Sequence, residues 1–471
     1  MANQEEPKAL KREIGLWDAI LLVVGSMIGS GIFIVSADIT RHTGSAGWFI
    51  VVWVIGGVMT LIAALSYGEL SAMYPKAGGQ YVYLKEAYGN LTAFVYGWSL
   101  FAVIQTGTIA AVGVSFVKFL AYLVPQVNED LIFFQIGTFH ISPAQVLSIV
   151  LLIFITFINT RGVKTGKIIQ TVFTTTKILS IGGLIVFGFI YINKDVWAAN
   201  WSNAWDFKQL YKSGTFKSYT DVPAFGGALA AALVGAIMSY EAWNNVTFVA
   251  GEIRDPKTNI GLSLLAGTLL VTLIYVLLNL MFTAVMPLQD IASIEKDRVG
   301  LAASNVIFGQ SGTIIMALLI MVATFGCNNG LILAGARVYF SMAKDGLFFK
   351  KAATLNKNAV PEFALWIQCA VAAVLCLSGK YGDLLDMITF VAVLFYVLTI
   401  LGIFILRVKH PNAERPYKAI GYPVLPALYI IMGSAFCILL IFYKPEFTWP
   451  GLLIALTGIP LYYINKRYAH K

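Results

Sequence analysis

Two short stretches of this chain place polar chemistry inside apolar surroundings. The first is Gly25-Ser-Met-Ile-Gly-Ser-Gly-Ile-Phe33, flanked by apolar residues 16–24 and 34–35. Each glycine costs a helix about 1 kcal/mol relative to alanine. Loosened backbone survives at membrane depth only where protein or a water-filled cavity satisfies its polar groups. A helix that stops near Met27 and restarts near Gly31 presents free N–H groups and a positive dipole end, to which a carboxylate is the natural guest. Gly29 and Gly31 let a ligand approach the backbone, and the Ser30 hydroxyl adds a donor. Tight helix packing is the alternative, since Gly25 and Gly29 also form a small-xxx-small pair. The second stretch is Ser239-Tyr-Glu-Ala-Trp243, where charge and bulky rings intrude between apolar residues 226–238 and 246–249. A helix unwound there frees the carbonyls of Met238, Ser239 and Glu241 to accept from an ammonium group. Carboxylate donors at one break and ammonium acceptors at the other fit the common end of an α-amino acid.

Four more residues belong with these breaks. Lys177 lies about a dozen positions into an apolar segment, roughly 18 Å of helical rise from its start. That is too deep for a simple snorkel to the surface, so it requires a partner or a wet cavity; helix-end carbonyls are the structural alternative. Glu241 is costly at the second break unless a cation matches it. It receives a basic side chain or a proton, or else it pairs internally or faces a solvated vestibule. Glu69, near the end of the second apolar segment, is expected in an inner-gate or structural pair. Asn328, with Asn329, is placed to hydrogen-bond toward the first helix.

The elements that carry these residues read as membrane helices. Hydrophobic residues make up 58% of the chain and charged residues 12%, against about 25% charge in an average soluble domain. Apolar windows fall near 16–40, 47–72, 91–124, 143–160, 166–192, 223–251, 260–286, 313–341, 362–379, 384–406, 424–443 and 449–465, which predicts twelve spans. Residues 78–88 read as an amphipathic surface segment. With the N-terminus inside, twenty-one lysines and arginines fall on inner segments and nine on outer ones, so both termini are expected to be cytoplasmic. That bias explains the net charge of +9 without a nucleic-acid partner. The breaks fall in helices one and six, an odd spacing that inverts the second half relative to the first. The expected organisation is a cytoplasmic N-terminus over 1–15, a first half over 16–192, an extracellular loop over 193–222 and a second half over 223–406. Residues 407–471 hold the last two helices and a cytoplasmic C-terminus.

Other chemistries find little support. The four cysteines lie in apolar segments, and the four histidines lie in loops or at the tail without metal-ligand spacing. No glycine-rich stretch ends in the Gly-Lys-Ser/Thr of a phosphate-binding loop. No cofactor is expected, no nucleophile, base or metal set converges for an enzyme, and no repeated pore motif supports a channel. The first residues lack the apolar core of a cleaved signal peptide.

The stretch Ile28-Gly-Ser-Gly-Ile-Phe33 resembles the first-helix motif of the amino acid–polyamine–organocation superfamily. Tyr67-Gly-Glu-Leu70, Pro75-Lys-Ala-Gly-Gly-Gln-Tyr81, Trp243-Asn244, Gly251-Glu252, Asp255-Pro256, Arg337-Val-Tyr339 and Ala343-Lys-Asp-Gly346 match its pattern in order. The chain looks most like the L-type, Na⁺-independent amino acid transporters and their bacterial relatives. That resemblance implies an all-α membrane fold of twelve helices, a five-plus-five inverted repeat with helices 1 and 6 broken, and two further C-terminal helices. It implies alternating access to one central site for an L-amino acid. By that similarity Ser30 and Gly31 contact the carboxylate, while Met27 and the carbonyls of Met238, Ser239 and Glu241 surround the amino group. Met238 stands where many relatives place an aromatic gating residue, so Tyr240 or Trp243 is expected to share the lid. Lys177 takes the role that a bound Na⁺ plays in sodium-coupled relatives. Some carriers of cationic amino acids have an acidic residue at the position of Glu241, and a polyamine or cationic-amine carrier is the alternative reading. Exchange, proton symport and uniport stay open. The loop 125–142 lacks the cysteine by which animal light subunits link a glycoprotein, so no disulfide-linked heavy subunit is expected. The same absence and the short termini favour a bacterial inner membrane.

Overall fold

In the computed structural model, the described residues are 10, 12–136, 139–210, 215–219, 222–378 and 381–469. Lys8, Lys11, Lys212, Lys380, Lys471 and His470, which entered the charge and histidine counts, lie outside them. The chain is almost entirely helical. The first two helices, α1 (Leu16–Met27) and α2 (Gly31–Thr43), are separated by three residues and bent by 43°. There follow α3 (Ala46–Met73), α4 (Gln80–Tyr88), α5 (Asn90–Ser99) and α6 (Gln105–Leu123), the last two joined by a π-helical turn at Leu100–Ile104. Next come α7 (Pro143–Thr160), α8 (Val163–Ile190) and the short α9 (Lys194–Ser202). They are followed by α10 (Val222–Ser239), α11 (Asn245–Phe248), α12 (Pro256–Val285), α13 (Leu288–Ser293) and α14 (Val299–Lys344), which is interrupted at Gly309. The chain continues through α15 (Glu362–Ser378), α16 (Tyr381–Lys409), α17 (Val424–Tyr443) and α18 (Pro445–Ala469). Two antiparallel hairpins, β1 (Phe134–Ile136) with β2 (Phe139–Ile141) and β3 (Lys208–Leu210) with β4 (Phe216–Ser218), complete the fold.

Helical residues occupy all twelve apolar windows, yet the spans are unequal. Among the described residues eight helices are long and apolar enough to cross a membrane, or nine if α1 and α2 form one bent span. The apolar stretches Ala224–Ser239 and Glu362–Leu377 are shorter, and α18 carries Pro450 and Pro460 within it. The sixth window, read as reaching residue 251, ends as regular helix at Ser239; turns, α11 and a 3₁₀ turn follow.

Packing explains where the breaks sit. Helix α1 is held among α8, α12 and α14, while α2 lies along α10 and α3 lies along α12. At Gly267 of α12 an added Cβ would lie 2.5 Å from Val23, so α1 and α12 touch nearly backbone to backbone. Helix α4 is buried rather than superficial: Gln80, Tyr81, Val82, Tyr83, Leu84 and Ala87 are all covered. Its start depends on Gly79, where φ is 43° and a side chain would collide with Thr247 at 2.1 Å. Beyond that turn, Tyr81 Oη donates to Asp345 at 2.8 Å, and burial beside that carboxylate holds the phenol above its ordinary range. Sequence had suggested a surface helix because Lys85 and Glu86 sit among the rings; Lys85 instead pairs with the same Asp345 at 2.8 Å.

The deepest ion pair joins the residues after α11 to α14. Arg337 Nε donates to Glu252 Oε1 at 2.8 Å, and both side chains are wholly inaccessible. Losing one member of such a pair strands a buried charge, at about 3–5 kcal/mol, whereas replacing both by apolar residues is often neutral. We therefore expect Glu252→Leu and Arg337→Met each to lower the thermal unfolding temperature in detergent sharply, with the double variant recovering most of the loss. Additive losses in the double variant would contradict this.

Candidate functional site

The α1–α2 break is set by its own backbone. Ile28 N–H still donates to Val24 O, but Ile28 turns to ψ 94° and Gly29 N–H folds back to Met27 O at 2.9 Å. This leaves the last carbonyls of α1 outside the helical ladder, and side chains from neighbouring helices collect them. Lys177 Nζ of α8 donates to Gly25 O at 2.6 Å and to Ile28 O at 2.7 Å. Cys327 Sγ of α14 donates to Ser26 O at 3.0 Å. One turn earlier, within α1, Thr174 Oγ1 donates to Leu21 O at 3.3 Å. Lys177 is fully buried and lies at the break itself.

The second break comes to meet the first. An added Cβ on Gly31 would lie 2.8 Å from Ser239 Oγ, so the start of α2 and the end of α10 are in contact. The Tyr275 hydroxyl of α12 lies 3.0 Å from both the Met27 and the Ser239 carbonyl oxygens. After Ser239 the chain passes through Ala242, whose φ of 68° is uncommon for a residue with a Cβ. Met238 O is partly engaged, since it accepts from Glu241 N–H at 3.1 Å.

Between the breaks lies a cavity of about 430 Å³. Ser26, Met27, Gly29, Ser30, Gly31 and Val35 border it on one side, and Met238, Ser239, Glu241 and Ala242 on the other. Thr108, Ala111 and Val112 of α6 and Cys327 of α14 close it. The hydroxyls of Ser26 and Ser30 are buried there and have no hydrogen-bond partner among the described residues. Such groups are rare in folded chains and require a partner. Glu241 also borders a second cavity of about 210 Å³, together with Gln80, Tyr96, Asn244 and Tyr396. Its Oε1 accepts a short hydrogen bond from the Tyr396 hydroxyl, and no cation pairs with it among the described residues. The amides beneath it are paired with protein: Asn244 donates to Gln80 Oε1 at 2.9 Å, and Gln80 donates to Thr399 at 3.0 Å.

Of the nine residues expected from sequence to bind substrate, Met27, Gly29, Ser30, Gly31, Met238, Ser239 and Glu241 gather around the first cavity. Two do not. Tyr240 packs on Trp53 and Tyr275 and donates to Trp53 O at 3.1 Å, while Trp243 packs between Tyr67 and Tyr396. Both rings are buried and neither borders the cavity. Asn328 makes no hydrogen bond with either end of its amide among the described residues; the contact to α1 is made instead by the adjacent Cys327. Asn329 bonds to Asn159 and Gln170. Glu69 accepts from Arg407 at 3.0 and 2.7 Å and from Ala419 N–H at 2.8 Å, with Arg415 at 3.3 Å.

Sequence reading passed over Tyr275, Tyr396, Cys327 and the α6 wall. A signal existed for α6: Thr108, Ala111 and Val112 share one helical face in which a hydroxyl sits among small residues. Tyr275 and Tyr396 gave none, since a lone tyrosine in an apolar helix looks like an ordinary core ring. Among the described residues no group of three or more His, Cys, Asp or Glu side chains is placed to hold a metal ion.

Comparison with known proteins gives this geometry its context. The sequence profile described as amino acid permease matches residues 14–462. The serine/threonine exchanger SteT of Bacillus subtilis is 30% identical over 466 residues, covering 98% of each chain. The mouse Asc-type amino acid transporter 1 is 29% identical over 464 residues, covering 98% of this chain and 82% of its own. The mouse large neutral amino acids transporter small subunit 2 is 28% identical over 465 residues, with the same coverage. A match of that extent, on a chain of apolar helices, makes this a multi-pass membrane protein and a transporter rather than an enzyme: it belongs to the amino acid permease family of the amino acid–polyamine–organocation superfamily.

Proposed function

We propose that this protein is a Na⁺-independent secondary carrier of L-amino acids that works by alternating access. The observation that carries the reading is the shared cavity: two helix breaks in contact, one offering unpartnered hydroxyls and a helix N-terminus, the other offering carbonyls. A zwitterion satisfies both, with its carboxylate at Ser30 and Gly31 and its ammonium near the carbonyls of Met27, Ser239 and Glu241. The names of the relatives support amino acids as cargo, and that of SteT supports exchange. On this reading the twelve helices form a five-plus-five inverted repeat followed by α17 and α18, with both termini cytoplasmic in a bacterial inner membrane. No disulfide-linked heavy subunit is needed.

Lys177 supplies the positive charge that braces the first break, in place of a bound cation. Uptake into proteoliposomes should therefore be unchanged within about twofold when Na⁺ is replaced by a large organic cation, a difference below 0.5 kcal/mol. Lys177→Ala should lower uptake at least about tenfold, because the Gly25 and Ile28 carbonyls lose their donor in a dry environment. Collapse of wild-type uptake without Na⁺ would overturn the assignment.

Glu241 decides which side chains are carried. The absence of a cationic partner favours a second reading, in which a cationic amino acid or amine brings that charge. The decisive measurement is counterflow of labelled neutral, cationic and acidic amino acids before and after Glu241→Ala. The expected result is a change of about tenfold or more in the ratio of lysine-like to neutral substrates, worth about 1.4 kcal/mol. Identical profiles would remove Glu241 from selectivity, and absence of counterflow with every amino acid would remove the carrier reading itself.

A further inference from the structure

Most buried or half-buried cations of this chain are answered by an acid or a carbonyl. Arg407 and Arg415 hold Glu69, Arg337 holds Glu252, Arg41 holds Asp297, and Lys296 holds Asp130. A cluster at one corner is different. Lys350 and Lys351, in the 3₁₀ turn at Lys350–Ala353, are exposed and face no acidic partner among the described residues, and Lys344, in the last turn of α14, lies over the Phe340 ring at 4.6 Å. Asp345 is the one carboxylate in residues 344–361, and it is already engaged by Lys85 and Tyr81. The end of α18 brings two more exposed cations, Lys466 and Arg467, to the same place: Asn465 Nδ2 donates to Gly346 O at 3.3 Å.

Apolar surface accompanies this charge. Phe349, which packs edge-on against Phe348, is 55% exposed, and Tyr463 on α18 is 57% exposed. The backbone around Gly346 is open, with nothing within 4 Å of where a Cβ would stand. Unanswered cations beside exposed rings, at the ends of two membrane helices, place this corner at the depth of lipid headgroups.

We propose that the α14–α18 corner is a binding site for the headgroup of an anionic phospholipid. Lys350 and Lys351, aided by Lys344 and the end of α18, hold the phosphodiester; Phe349 and Tyr463 lie against the first carbons of the acyl chains. A phosphocholine lipid carries its own cation and fits poorly among five others. The occupied site anchors the end of α14, the helix that brings Cys327 to the cavity. A general excess of basic residues on this face would attract anionic lipid without regard to position, whereas a built site depends on these side chains.

The test measures lipid, so it stands or falls independently of what the protein carries. Association of spin-labelled phosphatidylglycerol and phosphatidylcholine with the full chain is compared in phosphatidylcholine bilayers. Wild type should prefer phosphatidylglycerol, and K350Q/K351Q should lower that preference about twentyfold, at about fivefold per cation. K257Q/K418Q, which removes two exposed lysines beside the loop of Glu414 and Ala419 instead, should leave it within about twofold, less than the change for a single cation. Phe349→Ala should weaken association with both lipids, which separates packing from charge. The proposal is overturned if wild type shows no preference, if the two double variants behave alike, or if inorganic phosphate displaces the labelled lipid.

Discussion

The fold depends on what happens to the last carbonyls of α1. A helix that ends inside a membrane leaves carbonyl groups with no water to receive them, and each must find a donor in the protein. Here Lys177, Cys327 and Tyr275, from α8, α14 and α12, supply those donors. Lys177 is the strongest of them, because a charged donor to two carbonyls at 2.6 and 2.7 Å contributes more than a neutral one. Its ammonium is buried in turn because these carbonyls replace its water. The lysine and the break thus require each other, and together they fix where α8 crosses α1.

The cavity follows from that arrangement. With α1 stopped at Met27, the start of α2 is free to lean against the end of α10, and Gly31 permits the approach to Ser239. The hydroxyls of Ser26 and Ser30 face the cavity without a hydrogen-bond partner among the described residues, and the Glu241 carboxyl there accepts from Tyr396. Other polar groups are matched by protein: Gln80 and Asn244 bond to each other, and Glu69 is surrounded by donors.

Much of this was legible in the residues. Gly-Ser-Gly inside an apolar run left two readings, a broken helix or close helix packing, and α1 and α2 are separated and bent there. Lys177 was legible in part: a buried ammonium must have acceptors, and of the partner, wet cavity or helix-end carbonyls that its depth left open, the carbonyls are what it meets. The packing of Tyr240 and Trp243 away from the cavity was not legible, since it is set by rings far along the chain, Trp53 and Tyr275 for one and Tyr67 and Tyr396 for the other. The same holds for Asn328, where one position along α14 decides which side chain faces α1. The burial of α4 was hidden as well: Lys85 reads as a solvent-facing charge until Asp345, far along the chain, arrives to pair with it.

The Tyr275 hydroxyl carries one hydrogen but stands between two carbonyls, one at the end of α1 and one at the end of α10. Met27 O has a second donor in the Gly29 N–H, so the phenolic hydrogen is free to serve Ser239 O while Met27 O keeps a partner. A single hydroxyl on α12 therefore ties the two helix ends together. Neither end shifts without changing the hydrogen bonding of the other.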